Sequence, residues 1–235
     1  MSTTMTAPPE PESERRATSP ERHKRRFGVK EISAVIAAVA AGLAVVFFIG
    51  PRVLGAATPH FYAGTVLQQS TPAPSLDDLE FGQGGSVDLA AFQGEVVMLY
   101  FGYTGCPDVC PTTLLDASEA LADLSPSEAE RVRLIMVSVD PARDGPATVD
   151  NYARSFHPSF MGATGDSADV LDAATRYGIF YEIGEPYDPA SSDNYFVDHT
   201  STLMAIDTSG ALRVVWSPTV TSDEISGDVR ELLKQ

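Results

Sequence analysis

Two cysteines and one histidine are the side chains whose types and spacing could do chemistry in this sequence. Cys106 and Cys110 are the only cysteines among 235 residues, and they lie together in the segment Cys-Pro-Asp-Val-Cys-Pro. A thiolate is both a nucleophile and a soft metal ligand, so the pair could form a redox couple or supply two ligands to a metal ion. Two cysteines are too few for a four-cysteine zinc or iron–sulfur site.

The cysteine motif lies between an apolar segment and a predicted helix. If its first turn is helical, residues i and i+4 face the same side, and the helix N-terminus favours the thiolate form. Pro107 and Pro111 are compatible with early helix positions, where no backbone donor is required. An inert structural disulfide is the alternative, although closing so short a loop removes little chain entropy from the unfolded state.

His199 is the candidate for a third ligand. It follows the short apolar stretch Tyr-Phe-Val-Asp and precedes a predicted strand, as a ligand carried on a loop would. A lone histidine is more often a surface or core residue than a ligand. The other three histidines are weaker candidates: His23 precedes the apolar N-terminal segment, His60 lies in a predicted tether, and His157 precedes a proline.

The elements that must position these residues alternate along the chain. We expect buried strands at 95–101 and 133–139, short strands at 202–207 and 212–216, and helices at 112–124, 147–156, 167–177 and 222–233. The two buried strands are continuous apolar runs, typical of strands covered on both faces. This order predicts an α/β fold with a central sheet flanked by helices.

An apolar segment without a charged residue spans 32–51, between Glu31 and Arg52. About 20 residues is the length that a helix needs to cross a bilayer, so we predict a single transmembrane helix. Basic residues precede it, which places the N-terminus in the cytoplasm and the remaining chain outside, at the cell membrane. A cleaved signal peptide is the competing interpretation, with small residues at 55–57, but its apolar region would usually be shorter.

The predicted organisation has four parts. Residues 1–31 form a disordered, basic-ended cytoplasmic tail, 32–51 the transmembrane helix, 52–74 a tether, and 75–235 a globular domain. The net charge of −16 is unevenly distributed: 1–31 has seven basic and five acidic residues, whereas 53–235 has eight basic and 27 acidic. So acidic a domain argues against general nucleic-acid binding, which depends on lysine and arginine at phosphates.

The sequence resembles the Sco/SenC copper-chaperone family, which is associated with cytochrome c oxidase assembly. The resemblance rests on the cysteine motif, on the segment Val-Ser-Val-Asp-Pro-Ala-Arg-Asp at 137–144, and on Asp198-His199, and it covers about 75–235. It implies a thioredoxin-like fold, an N-terminal membrane anchor, and copper bound by Cys106, Cys110 and His199. Many members carry a polar residue where this sequence has Gly105.

The function implied by the resemblance is a membrane-anchored extracytoplasmic copper chaperone. Its partner would be cytochrome c oxidase subunit II, where it helps to assemble the CuA centre, or another copper protein. Thiolates select Cu(I), and an added imidazole also allows Cu(II). The residue count alone does not exclude zinc.

The alternative is a thiol-disulfide oxidoreductase that uses the cysteine pair to reduce partner cysteines before metallation, so enzymatic activity stays open. A simple dithiol reductase does not need a distant histidine. A peroxidase-like thiol enzyme would need a basic residue beside its cysteine, and 102–114 contains none.

Several neighbouring residues have two interpretations. Asp140, Arg143 and Asp144 follow a predicted strand and could border the site, but a salt bridge within a turn is the simpler expectation. Tyr100 and Tyr103 are expected in the core or lining the site.

Overall fold

The computed structural model describes residues 28–49, 60–188, 190–191 and 193–235. The chain divides into two units, Met1–Thr58 and Pro59–Gln235. In the first unit, helix α1 (Val29–Ala44) is followed by a π-helical segment, Val45–Ile49. Among the described residues, no helix combines the length and the apolar character that crossing a membrane requires. The predicted anchor at 32–51, whose last two residues lie outside the described ranges, stays a prediction.

The second unit contains ten strands, five α-helices and a 3-10 helix, Leu89–Phe92, within its described residues. The strands are β1 (Thr65–Pro72), β2 (Leu76–Phe81), β3 (Ser86–Val87), β4 (Val96–Gly102), β5 (Val132–Ser138), β6 (Phe160–Thr164), β7 (Tyr181–Ile183), β8 (Val197–His199), β9 (Leu203–Ile206) and β10 (Ala211–Trp216). The helices are α2 (Val109–Asp123), α3 (Pro126–Ala129), α4 (Pro146–Phe156), α5 (Ser167–Arg176) and α6 (Ser222–Leu232).

Eight of the strands form one sheet in the order β1-β10-β9-β4-β5-β6-β2-β3, and β7 pairs with β8 in a separate antiparallel sheet. At the centre, β4 and β5 run parallel in unbroken register from Val96 opposite Val132 to Gly102 opposite Ser138. Every residue of β4 is buried, which explains its continuous apolar sequence. Helix α2 packs on α6, and α4 packs on β5 and β6. The predicted mixed α/β fold with a central sheet flanked by helices is confirmed.

The structure corrects the predicted tether at 52–74 in one respect. Its residues Thr65–Pro72 form strand β1, which pairs antiparallel with β10 and is the outermost strand of the sheet. An edge strand tolerates a proline at its end, because only one of its sides is paired. The described residues of β1 are exposed or half-buried, so the strand has no continuous apolar run. Residues 52–59 lie outside the described ranges.

A buried carboxylate attaches the start of this unit to its last helix. Asp228 on α6 is 1% exposed and accepts hydrogen bonds from Trp216 Nε1 at 2.7 Å and from the backbone nitrogens of Ala63 and Gly64. Its other oxygen lies 2.7 Å from His60 Nε2. His60 is therefore a partner of Asp228, in agreement with its weak claim as a metal ligand.

Replacing Asp228 with alanine is expected to destabilise the fold by about 3 kcal/mol, because it leaves buried donors unsatisfied. Urea denaturation of the two proteins measures this difference. Asp77→Ala is the control, since that aspartate is exposed on β2 and its expected effect is within about 0.5 kcal/mol. A loss below about 1 kcal/mol for Asp228→Ala would show that the carboxylate is not a principal attachment.

Candidate metal centre

The cysteines lie where the central strand β4 gives way to helix α2. The helix begins at Val109, so Cys110 is in its first turn, whereas Cys106 precedes the helix. Pro111 lies in the first turn of this helix, where no backbone donor is required. The Cys110 backbone nitrogen donates to Cys106 Sγ at 3.4 Å. The free donors of the helix N-terminus therefore stabilise a thiolate at Cys106.

His199 reaches the cysteines from the last position of strand β8. Its Nε2 lies 3.4 Å from Cys110 Sγ, and its Nδ1 lies 3.2 Å from the Thr200 carbonyl oxygen. A carbonyl oxygen only accepts, so this contact requires the proton on Nδ1 and leaves the Nε2 lone pair facing the sulfur. The rings of Tyr100 and Tyr103 make edge-to-face contacts with the imidazole, at centroid distances of 6.3 and 5.8 Å.

The structure thus brings together all three predicted ligands. One ligand atom from each of Cys106, Cys110 and His199 can be chosen so that all lie within 4.8 Å of one another. No other group of at least three such side chains occurs in the described part of the chain. Cys110 is fully buried, Cys106 is 9% exposed and His199 is half-buried. Two sulfurs and one nitrogen that converge near the surface suit a soft metal ion.

The two thiols are electrostatically unequal. The hydrogen bond from the Cys110 thiol lowers the pKa of Cys106 to about 4. The same hydrogen bond, together with burial, raises the pKa of Cys110 above its usual range. The reduced, metal-free pair therefore carries one thiolate and one thiol over the neutral range.

Alkylation of Cys106 by iodoacetamide is expected to be nearly independent of pH between 5 and 8. The thiolate is the reacting form, and it is fully present above a pKa of about 4. An ordinary thiol would slow about tenfold for each pH unit below its pKa. Mass spectrometry of the reduced full chain gives the rates. Cys110→Ala removes the donor, so it should restore the pH dependence; a tenfold loss per unit in the original protein would contradict the assignment.

The charged residues after β5 form a salt bridge within their own turn and a hydrogen bond to the cysteine loop. Asp140 and Arg143 form the expected salt bridge within the turn. Asp144 instead accepts hydrogen bonds from the Thr104 backbone nitrogen at 2.8 Å and from Ser138 Oγ at 2.6 Å. Thr104 belongs to the loop that leads to Cys106. Spacing in the sequence does not indicate this contact, since it joins two different loops at the end of the parallel strand pair.

The chain is similar in sequence to known proteins. A sequence model of the SCO1/SenC family matches residues 78–234. An SCO2-like protein of Rickettsia conorii is 34% identical over 120 residues, which are 50% of this chain and 56% of that protein. The matched region thus spans little more than half of that relative's length.

Solved structures show the same likeness over most of the chain. The apo Sco1 protein of Thermus thermophilus is 40% identical, with a TM-score of 0.64. The match covers 74% of this chain and 99% of the Thermus thermophilus chain. ScoI of Bradyrhizobium japonicum, solved with copper bound, is 32% identical, with a TM-score of 0.58. The match covers 72% of this chain and 98% of the Bradyrhizobium japonicum chain. The resemblance found in the sequence is therefore confirmed, and the chain belongs to the SCO1/SenC family.

Proposed function

We propose that this chain binds one copper ion through Cys106, Cys110 and His199 and delivers it during cytochrome c oxidase assembly. The client is the CuA centre of subunit II or another copper protein. The observation that carries the proposal is the convergence of the three ligand atoms within 4.8 Å. The copper-bound state of the similar Bradyrhizobium japonicum protein supports it.

The protonation of the site suits copper binding. The thiolate at Cys106 is present before binding, and His199 presents the lone pair of Nε2. The Cys110 thiol must release its proton to bind Cu(I), so copper uptake should liberate protons at neutral pH. Two thiolates favour Cu(I), and the imidazole also makes the site suitable for Cu(II).

The uneven burial of the ligands suits release. Cys110 is fully buried, whereas His199 and Cys106 form the more accessible side. With three protein ligands, an incoming thiol or imidazole of a client can bind the metal before any protein ligand has left. Displacement is expected to begin at His199, because its strand is short and its ring is half-buried.

The proposed location is the outer face of the cell membrane, anchored through residues 32–51. The uncharged apolar sequence and the basic residues before it support this. Carbonate extraction at alkaline pH should leave the full chain in the membrane pellet, and its release into the supernatant would contradict the anchor.

Thiol-disulfide exchange is the second candidate function. A low-pKa, slightly exposed Cys106 beside a buried, protonated Cys110 is an arrangement that such enzymes use. In that reaction the dithiol is oxidised to a disulfide while a partner disulfide is reduced to two thiols. The position of His199 favours copper, because this exchange does not require the imidazole.

Copper loading of the purified, reduced full chain under anaerobic conditions separates the two functions. We expect one Cu(I) per chain, and none retained against a chelator by Cys110→Ser. The Ser118→Ala variant is the control, because Ser118 lies on the same helix and bonds the Phe156 carbonyl away from the site. Absence of copper binding, together with turnover of a disulfide substrate, would replace the chaperone with the reductase.

A further inference from the structure

We infer that Arg143 is the positioning residue that holds the histidine-bearing segment against the cysteine loop. Arg143 does not touch the ligand atoms; it fastens the residues that lead to His199. The expected effect of Arg143 on copper affinity rests on the proposed function. Its effect on the backbone of the metal-free protein does not.

The guanidinium group binds the segment before β8 directly. Arg143 Nη1 donates to the carbonyl oxygens of Asp193 and Tyr195, at 2.9 Å each. The same group stacks on the Tyr195 ring, 3.7 Å from its centroid. A planar guanidinium can bridge two carbonyls while lying flat on a ring, and an ammonium cannot do this.

The orientation of Arg143 is fixed from the side of the central sheet. Asp140 follows the end of β5, is 1% exposed, and forms an ion pair with Arg143 Nε. Its other carboxylate oxygen accepts a hydrogen bond from the Tyr195 hydroxyl at 2.8 Å. Asp140 and Arg143 therefore both bind Tyr195, and both follow the end of the central strand β5.

The segment needs this attachment because its own secondary structure is small. Strands β7 and β8 have three residues each and pair only with each other. An isolated two-stranded ribbon is marginally stable at best. Beyond Tyr195, the backbone nitrogen of Val197 donates to the Tyr103 hydroxyl at 3.4 Å, a second and longer attachment. His199 follows two residues later, so its position depends on these contacts together with the bond from the Thr200 backbone nitrogen to the Phe180 carbonyl oxygen at 2.8 Å.

Arg143 makes no hydrogen bond to the cysteine loop, although its guanidinium carbon lies 5.6 Å from the ring centroid of Tyr103. Its Nη2 is buried and has no hydrogen-bond partner, and a Cβ built on Gly105 would lie 3.9 Å from it. The hydrogen bonds of the guanidinium go to Asp140, Asp193 and Tyr195. The contact with Tyr103 is longer than the 3.7 Å contact with Tyr195 and includes no hydrogen bond, so loss of Arg143 should release the histidine segment while leaving Cys106 and Cys110 in place.

Backbone hydrogen exchange in the reduced, metal-free full chain tests this separation. In Arg143→Ala, amides 195–199 are expected to exchange at least about tenfold faster, whereas those of α2 keep their wild-type rates. The matched control is Arg154→Ala. Arg154 also pairs with a buried aspartate, Asp150, and donates to a carbonyl, that of Pro158, yet it has no contact with the site.

Copper binding gives a second readout that a merely structural role would not produce. Arg143→Ala should lower Cu(I) affinity by about 10- to 100-fold, as loss of a residue that orients a metal ligand does. Combined with His199→Ala, it should add nothing, because the histidine contribution is already lost. The Cu(II) form should lose its imidazole hyperfine signals in electron paramagnetic resonance.

Arg143→Lys keeps the inference testable if the alanine variant does not fold. The lysine variant retains a positive charge beside Asp140 but loses the planar group that donates to the two carbonyl oxygens. Amides 195–199 should therefore still exchange faster than in wild type. Wild-type exchange in the lysine variant, or additive losses in the double variant, would overturn the role of Arg143. If His199→Ala itself left copper affinity unchanged, the ligand assignment would fail instead, and the exchange data would still decide the positioning role.

Discussion

Gly102→Ala is expected to weaken Cu(I) binding by about 10- to 100-fold, although residue 102 is not a ligand. A Cβ at this position would lie 2.8 Å from Tyr100 Cε1 and 2.9 Å from Cys110 Sγ. Both side chains are fully buried, so neither can move away freely. The added methyl group must displace the ring or the first turn of α2, and either shift changes the distance between Cys110 and His199. Overpacking of this kind also costs about 1 to 3 kcal/mol of stability.

Gly105→Ala is the matched control for that experiment. The nearest atoms to a Cβ there are ring carbons of Tyr103 at 3.6 Å, which is an ordinary contact distance. Anaerobic competition with a Cu(I) chelator should therefore give the Gly105 variant wild-type affinity. Equal affinity for all three proteins would mean that close packing beneath Cys110 does not set the geometry of the site.

His199→Ala is expected to lower Cu(I) affinity by more than about 100-fold, beyond the usual effect of an outer-shell partner. It removes one of three ligands, whereas Cys106 and Cys110 keep their sulfurs and should still oxidise to a disulfide. The two activities of the pair are thus separable. Chelator competition measures the affinity, and thiol titration after oxidation measures the disulfide.

His157→Ala is the control for the histidine variant. His157 is also half-buried, but its Nδ1 lies 2.8 Å from Ser159 Oγ, beyond the C-terminal end of α4. It should bind copper as the wild type does. An unchanged affinity in His199→Ala would reduce the site to two cysteines and remove the main reason to prefer a chaperone over a dithiol reductase.

The centre of the fold could be predicted from the sequence because burial there leaves a strong pattern. Strands β4 and β5 are covered on both faces and read as unbroken apolar runs, and helices α4, α5 and α6 begin and end within two residues of the prediction. The edges left no such pattern. Strand β1 is partly exposed and polar, and β7 and β8 are three residues long, so their pairing depends on tertiary contacts.

The candidate site could be predicted in its ligands but not in its supports. Residue type and spacing single out Cys106 and Cys110, and the family resemblance adds His199. The salt bridge between Asp140 and Arg143 was the expected one. Its second function, binding the chain before His199, could not be predicted, because it joins residues about 50 positions apart through backbone carbonyls, which have no sequence signature.

The central claim is that two cysteine sulfurs and one histidine nitrogen bind a single copper ion. X-ray absorption spectroscopy of the anaerobically loaded full chain tests it most directly, because the fine structure counts scattering atoms by type. The expected result is two sulfur neighbours and one imidazole nitrogen per Cu(I), with the imidazole scattering lost in His199→Ala. A shell of nitrogen and oxygen alone, or a single sulfur per copper, would contradict the assignment of Cys106, Cys110 and His199.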